Sequence, residues 1–325
     1  MKFIDSATVH QVLDYPALID ALAQAHQQDF DAVERLLLEQ ATPSGTRNHF
    51  LLWPAWQQGQ ALGVKLVTSF PDNATGPDNA TGNTGRPSVQ GVYILFDGHN
   101  GQPLACLDGA ALTLRKTAAD SALGARFLAR EDAQTLLMVG AGELAPHLIA
   151  AHRTARPSLR HILLWNRSPA RAVRLAAALQ AEGVAAVVCT ELADAVRRAD
   201  IISCATCAAE PLIKGQWLQP GTHLDLVGGF TPAMREADDD TIRRARLYVD
   251  SRWFTLHDCG DLSQPLQAGL IDEQTVQADL FQLCRQECAG RRSANEITLF
   301  KNGGGAHLDL MVARYAVAML ENSTY

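Results

Sequence analysis

A glycine-rich turn separates an apolar run from a helical pattern in TLLMVGAGELAPHLIAAH. Its spacing, Gly140-x-Gly142-x-x-Ala145, is typical of turns that bind the pyrophosphate of a dinucleotide. The first glycine permits a tight turn, the second lets phosphates approach the backbone, and the alanine lets the helix pack against the strand. Free N–H groups at the helix start attract phosphate. The pattern predicts a dinucleotide site formed by Gly140, Gly142, Glu143, Leu144 and Ala145.

The end of the second strand predicts which dinucleotide binds, because an acidic residue there would bind the 2′-hydroxyl of NAD. Asn166, Arg167 and Ser168 occupy this place, and none of them is acidic. A guanidinium and a hydroxyl suit a 2′-phosphate. We therefore expect NADPH as the preferred cofactor, with NADH tolerated. Thr206, which follows a later strand of the same pattern, is a further candidate for contact with the cofactor.

Three basic residues lie in apolar or small-residue context, namely Arg47, Lys65 and Arg115. Lys65 interrupts the apolar strand pattern ALGVKLVTSF, and burial of an unpaired ammonium is costly unless an anion accompanies it. The fork of an arginine matches the two oxygens of a carboxylate. Together these residues favour a carboxylate site, although each taken singly is more typical of an exposed or ion-paired residue. Lys116 is equally basic and is expected to face solvent.

The 325 residues favour two domains. Residues 15–38 have the periodicity of an amphipathic helix, and the short apolar runs over 49–114 predict a mostly antiparallel sheet. The pattern then alternates, with helices at 113–130, from about 143 and at 168–181, and strands at 135–139, 161–165, 185–189, 200–205, 223–227 and 247–250. This alternation predicts an α/β fold, a Rossmann doubly wound parallel sheet beside a second, α+β domain. Residues 306–320 form a last helix.

Composition narrows the function classes. A net charge of −7 disfavours nucleic acid, and no apolar run approaches the length of a membrane span. The first residues lack the apolar segment of a signal peptide, so we expect a cytoplasmic protein. Cys204 and Cys207 form a CxxC that we interpret as ordinary buried thiols, and no cluster has metal-ligand spacing. The hexamer PDNATG occurs twice within 71–87 and predicts a surface loop.

Several motifs occur in the order of one known family. They are GVKLVTSFP, PSVQGVYILFDGHNGQPLACLDGAALTLRKTAA, VGAGELAPHLIAAH, ADIISCAT, PGTHLDLVGGFTPAMRE and LFKNGGGAHLDLMVA. The chain thereby resembles the ornithine cyclodeaminase/mu-crystallin family from about residue 40 to 320. The resemblance implies a homodimer, a substrate-binding and dimerisation domain of 1–115 with 305–325, and a Rossmann domain of 116–304. It implies that Arg47, Lys65 and Arg115 hold a substrate carboxylate, and that Lys301 to Gly304 lie near the nicotinamide.

One position departs from the cyclodeaminases of this family, which carry an acidic residue after Val-Gly-Gly. In this chain Phe230 follows Val227-Gly228-Gly229, and phenylalanine can neither accept a proton nor pair with an ammonium. The resemblance therefore favours the ketimine-reductase branch, in which a cyclic imino acid such as Δ1-pyrroline-2-carboxylate is reduced. Phe230 would form an apolar wall against the ring, and Lys65 or a water would supply the proton.

Other functions remain open at this point. They are ornithine cyclodeamination, dehydrogenation of an alanine-like amino acid, and NADPH binding without catalysis. His307 and Asp309, at the start of the last helix, are compatible with either a functional or a structural role, and Asp309 with helix capping.

Overall fold

The computed structural model describes residues 1–31, 33–73 and 87–322. The chain divides into two compact units. The first contains Met1–Asp14, Asp29–Lys116 and Ala306–Tyr325, and the second contains Tyr15–Gln28 and Thr117–Gly305. We call them the substrate unit and the nucleotide unit, after the roles that the family resemblance implies. Most of the doubled PDNATG loop lies outside the described residues.

Strands and helices are numbered in chain order. The strands are β1 (Lys2–Ile4), β2 (Leu36–Ala41), β3 (Arg47–Gln57), β4 (Ala61–Ser69), β5 (Val89–Asp97), β6 (Pro103–Asp108), β7 (Thr135–Val139), β8 (His161–Trp165), β9 (Ala186–Val188), β10 (Ile201–Cys204), β11 (His223–Leu226), β12 (Ala245–Val249), β13 (Val276–Asp279) and β14 (Ile297–Lys301). The helices are α1 (Ser6–Val12), α2 (Tyr15–Ala25), α3 (Gly109–Leu128), α4 (Leu144–Ala155), α5 (Pro169–Ala181), α6 (Leu192–Arg198), α7 (Asp239–Arg244), α8 (Arg252–Thr255), α9 (Gly260–Gln267), α10 (Leu280–Cys284) and α11 (Ala306–Asn322). Among the described helices, none is long and apolar enough to cross a membrane.

The substrate unit is a six-stranded sheet in the order β1-β6-β5-β4-β3-β2. Neighbouring strands are antiparallel, except that β1 runs parallel to β6. Helix α11 packs against β3, β4 and β5. Because side chains alternate along a strand, Ala61 and Lys65 of β4 are buried on the face towards α11. The opposite face carries exposed Leu36, Phe50 and Trp56.

The helix predicted over 15–38 is wrong in its second half. Helix α2 ends at Ala25, and Leu36–Ala41 form the edge strand β2. All six residues of β2 are exposed, so their burial pattern has no helical period, and pairing with β3 decides the conformation. Helix α2 also belongs to the nucleotide unit, where it packs against α4.

The nucleotide unit is an eight-stranded parallel sheet in the order β13-β12-β14-β11-β10-β7-β8-β9. This confirms the predicted doubly wound fold, and the predicted strands match β7 to β12 closely. The alternating pattern missed β13 and β14, although β14 lies between β11 and β12. The chain adds β8 and β9 on one side of β7 and then crosses to β10 on the other. This reversal leaves a crevice beyond the carboxyl ends of β7 and β10, where such sheets bind ligands.

Helix α3 approaches β14 closely at Gly124. A Cβ atom on Gly124 would lie 2.9 Å from the ring of Phe300. We therefore predict that Gly124→Ala lowers the free energy of unfolding by about 1–3 kcal/mol through overpacking, although alanine is the better helix former. Thermal unfolding would measure this. Phe300→Leu should partly restore stability in the Gly124→Ala background, and a stabilising Gly124→Ala would contradict the packing argument.

Candidate active site

Lys65 lies on β4, facing α11, and is buried. Its Nζ donates a hydrogen bond to the Thr113 hydroxyl on α3. The same atom lies 3.2 Å from Asp309 Oδ1 on α11. The strand, α3 and α11 therefore hold the ammonium from three directions, and its burial is accompanied by an anion.

A second lysine shares this carboxylate. Lys116 Nζ lies 2.7 Å from Asp309 Oδ2, and both side chains are buried. Burial lowers the pKa of Lys65 to about 8, which Asp309 counteracts and the charge of Lys116 reinforces. With both lysines ionised, the cluster of Lys65, Lys116 and Asp309 has one positive charge in excess. We call it the lysine cluster, and it is electrostatically suited to one monovalent anion.

Aromatic side chains flank Lys65 on both neighbouring strands. Trp53 of β3 and Tyr93 of β5 are its register partners. Lys65 Nζ lies 5.9 Å, and Arg35 Cζ 6.0 Å, from the centre of the Trp53 ring. Burial, reinforced by Asp309, raises the pKa of Tyr93 well above its ordinary value, and its hydroxyl makes no hydrogen bond within the described part of the chain. Arg35, which sequence reasoning missed, is therefore a second cation near the Trp53 ring.

Arg47 is not brought to Lys65. It begins β3, six positions before Trp53, which is roughly 20 Å along an extended strand. Its guanidinium lies 2.6 Å from Glu39 of the adjacent edge strand, and its side chain is 66% exposed. In the substrate unit, Arg47 thus belongs to a surface ion pair.

The sequence suggested that Arg115 lies in the site and Lys116 faces solvent, but the structure places Lys116 in the buried cluster and Arg115 beside His10. Arg115 donates from Nε to His10 Nδ1 at 3.0 Å and from Nη2 to the His10 carbonyl at 2.9 Å. The prediction that Lys116 faces solvent is wrong, because consecutive helical residues point about 100° apart and Lys116 takes the buried side. Lys116 is three residues before Ala119 and seven before Leu123, both buried. This helical spacing places Lys116 on the buried face of α3, and it could have been recognised from the sequence.

The glycine turn follows β7 in the nucleotide unit. Gly140 has φ +111°, and a Cβ there would meet the Ala205 carbonyl oxygen at 2.5 Å. The fold itself therefore requires glycine at 140. Gly142 differs, since a Cβ there would meet no atom within 4 Å. The open space at Gly142, at the start of α4, fits the approach of a pyrophosphate, and buried Ala145 packs the helix onto the sheet.

Asn166 joins the second-strand loop to this turn. Its Oδ1 accepts a hydrogen bond from Ala141 N at 3.2 Å, and its Nδ2 donates to the Ser168 carbonyl at 2.9 Å. Ser168 is the N-cap residue of α5. Arg167 and Ser168 are both exposed at this edge, so their side chains are accessible to a ligand on the turn. At the start of α4, Glu143 is exposed and Leu144 is half-buried.

Buried acids hold the loops at the carboxyl ends of β10, β11 and β14. Glu236 accepts hydrogen bonds from Thr206 N and Oγ1 and from Gly228 N, at 2.7–2.8 Å. Asp261 accepts from Glu236 N and lies 3.2 Å from Lys301 Nζ. Burial and the charge of Asp261 raise the pKa of Glu236 to about 7, whereas the pKa of Lys301, despite its burial, is raised to about 12 by Asp261 and other acids. Sequence reasoning missed Glu236.

Asp250 holds the segment that follows β14. Its Oδ2 accepts hydrogen bonds from Gly303 N at 2.9 Å and Gly304 N at 2.6 Å. Burial raises the pKa of Asp250, which these hydrogen bonds partly offset. Phe230, directly after the two glycines that follow β11, is 52% exposed. An apolar side chain of this size exposed at the ligand-binding edge is available to contact a bound molecule.

Two further sequence features have structural outcomes. Cys204 is buried and Cys207 is exposed, and both thiols are free, so the expectation of a buried thiol fails at Cys207. In the described ranges, no group of three or more His, Cys, Asp or Glu side chains is placed to hold a metal ion.

Fold and site together define a Rossmann-fold protein whose substrate unit contains a buried cationic cluster. Residues 6–323 match the Ornithine cyclodeaminase/mu-crystallin family, and the chain belongs to this family. It is 40% identical over 308 residues to the Δ1-pyrroline-2-carboxylate reductase of Paracoccus denitrificans, covering 95% of this chain and 93% of the relative. The reductase of the same name from Colwellia psychrerythraea is 35% identical, with 98% and 99% covered.

A solved structure is similar over nearly its whole length. The Δ1-pyrroline-2-carboxylate reductase of Thermococcus litoralis, in complex with NADH and L-proline, matches with a TM-score of 0.88 and 28% identity, covering 99% of this chain and 98% of that chain. The family predicted from the sequence motifs is therefore confirmed.

The contrast between the two glycines generates a prediction. Gly142→Val should leave the melting temperature nearly unchanged, because a Cβ at this position would meet no protein atom within 4 Å, yet weaken dinucleotide binding at least about tenfold. Fluorescence titration with NADPH or NADH would measure the affinity. As the matched control, Gly140→Ala should lower the melting temperature because of its positive φ. Undiminished binding by Gly142→Val would exclude the turn as the pyrophosphate site.

Proposed function

We propose that this protein reduces Δ1-pyrroline-2-carboxylate to L-proline with a nicotinamide dinucleotide, and accepts Δ1-piperideine-2-carboxylate, which yields L-pipecolate. The observation that carries the proposal is the lysine cluster, because its single excess positive charge matches one carboxylate. The 40% identity to a Δ1-pyrroline-2-carboxylate reductase supports the same reaction.

Substrate binding uses the residues of the substrate unit. Lys65 and Lys116 bind the substrate carboxylate, and Arg35 supplies a further charge beside Trp53. Arg115 is engaged with His10, so we assign the second cationic position to Lys116. Fixing the carboxylate orients the ring, and positioning of this kind contributes up to about 7–11 kcal/mol to lowering a barrier.

The reaction then needs one hydride and one proton. A bound dinucleotide would supply the hydride to C2 of the ketimine, and Lys65 or a water would supply the proton to the ring nitrogen. Phe230 contributes an apolar surface and no proton acceptor, which suits an imine that arrives already formed. Deamination of ornithine would instead require a group to take protons from its amines, and Phe230 cannot do this.

We further propose a preference for NADPH over NADH. Support comes from exposed Arg167 and Ser168 after β8, where an acid would otherwise bind the 2′-hydroxyl of NAD. Comparing kcat/KM for the two cofactors tests this, and a strong preference for NADH would contradict it. Arg167→Ala should lower the ratio of kcat/KM with NADPH to kcat/KM with NADH, because it removes the cation that would bind the 2′-phosphate.

The proposed setting is a cytoplasmic homodimer. Seven free cysteines suit a reducing compartment.

The sheet face opposite α11 exposes Leu36, Phe50 and Trp56, and we assign a second copy of the chain to it, since exposed apolar faces of this kind mark interfaces. Trp56→Glu should halve the mass measured by light scattering. Val173→Glu, at an exposed apolar position on α5, is the control and should leave the mass unchanged.

The activity itself is tested by loss of absorbance at the nicotinamide band on mixing the protein with the ketimine and NADPH. Reduction of the ketimine is the expected result. Release of ammonia from ornithine in the presence of NAD would make the protein a cyclodeaminase. Tight NADPH binding without turnover of any of these substrates, or of pyruvate with ammonia, would make it a binding protein.

Neighbouring side chains on α3 provide a matched test of the substrate site. Lys116→Met should lower kcat/KM at least about thirtyfold, because removal of one buried cation costs about 2–5 kcal/mol. Arg115→Met should lower it much less and mainly reduce stability through the lost contact with His10. Steady-state kinetics and thermal unfolding separate these effects. If Arg115→Met lowered kcat/KM more than Lys116→Met, Arg115 and not Lys116 would be the second residue that binds the carboxylate.

A further inference from the structure

We propose that Asp309 is a positioning residue for the reduction. Its carboxylate bridges Lys65 and Lys116, and the three groups together keep one excess positive charge that binds the substrate carboxylate. The proposal rests on the proposed function, because the anion that this charge receives is the substrate carboxylate. Asp309 itself touches neither substrate nor dinucleotide in this role.

The geometry is that of a bridge. Oδ1 of Asp309 lies 3.2 Å from Lys65 Nζ, and Oδ2 lies 2.7 Å from Lys116 Nζ. A lysine ammonium sits on a flexible four-carbon stem, so it needs a fixed partner to point in one direction. Since each oxygen takes a different lysine, one rigid carboxylate on α11 orients two cations from β4 and α3.

The charge balance leads to the same role. With Asp309 present, two ammoniums and one carboxylate leave a surplus of one positive charge. Without it, two buried ammoniums would repel each other, and the one whose ionisation is already disfavoured would lose its proton. Asp309 therefore favours the ionised form of Lys65 despite the neighbouring cation.

The groups around Lys65 determine the expected pH dependence. Asp309 faces it from α11, Lys116 from α3 and Tyr93 from β5, while Arg35 reaches Trp53 on the β3 side. Burial lowers the pKa of Lys65 first of all, Asp309 raises it and Lys116 lowers it. Above pH 8 wild-type Lys65 loses its proton and its hold on the substrate carboxylate, so kcat/KM should fall along an alkaline limb.

The test is the pH profile of kcat/KM for Δ1-pyrroline-2-carboxylate. In Asp309→Asn the alkaline limb should move to lower pH by roughly one pH unit or more, because the anion that contacts both lysines is replaced by a neutral amide. At pH 8 kcat/KM should fall at least about fivefold, because the protonated share of Lys65 would drop from about a half to about a tenth. Titration of the substrate's own nitrogen is common to both proteins and cancels in the comparison. Asp309→Glu, which keeps the charge, should restore the limb.

Lys116→Met gives the opposite prediction and does not depend on the folding of Asp309→Asn. It removes the repelling cation, so the alkaline limb should move to higher pH even though kcat/KM falls. Asp225→Asn is the matched control, because Asp225 is an equally buried carboxylate, bonded to Ser121, Ser203 and His152 in the nucleotide unit. It should lower the melting temperature and leave the limb in place.

Two outcomes would overturn the proposal. In Asp309→Asn, a lower melting temperature with an unmoved limb would reduce Asp309 to a structural residue. Should that variant not fold, an unmoved limb in Lys116→Met would have the same meaning. Failure of the wild-type protein to reduce the ketimine is a separate result, which would remove the proposed function. The pH dependence of L-proline binding, followed by tryptophan fluorescence, would then test the bridge without turnover.

Discussion

Two ammonium groups buried in one site repel each other and lose their hydration, so a buried anion is needed if that cost is to be offset. Lys65, Lys116 and Asp309 meet this requirement, and each comes from a different element of the substrate unit. Strand β4, the first turns of α3 and the start of α11 must therefore occupy fixed places relative to one another. The electrostatic cost of the pair is offset in the folded chain, and the remaining positive charge is the one that we propose binds an anion.

In the nucleotide unit, buried carboxylates bind backbone N–H groups instead of lysines. Parallel strands end in loops whose N–H groups would lack partners at the ligand-binding edge. Glu236 binds those of Thr206 and Gly228, and Asp250 binds those of Gly303 and Gly304. Buried acids thus shape loops that the sheet alone would leave unsupported. The glycine turn needs no such support, because Gly140 fits its conformation directly.

The two units supply different parts of the proposed chemistry. One offers a cation for a carboxylate, and the other offers an open turn for phosphates and an exposed Phe230 at the same sheet edge as the supported loops. A ketimine needs little more than orientation, a hydride and a proton. The absence of an acid at 230 is therefore compatible with reduction, whereas cyclodeamination would lack its proton acceptor.

Local patterns determined much of this protein. The glycine turn, strands β7 to β12, the last helix and the family motifs could be predicted because each depends on neighbouring residues. Contacts between distant residues could not be predicted in this way. Lys65 meets Thr113 across 48 residues and Asp309 across 244, so neither partner leaves a local signal. Strand β2 was predicted as helix, and Arg115 was preferred to Lys116, because pairing with β3 and the buried side of α3 are properties of the assembled fold. Sequence alone thus identified a dinucleotide-binding ketimine-reductase candidate with Lys65 at its site. Only the tertiary structure showed that Asp309 lies between Lys65 and Lys116 and that Arg35 lies near Trp53, since packing decides which side chain of a helix or strand is buried.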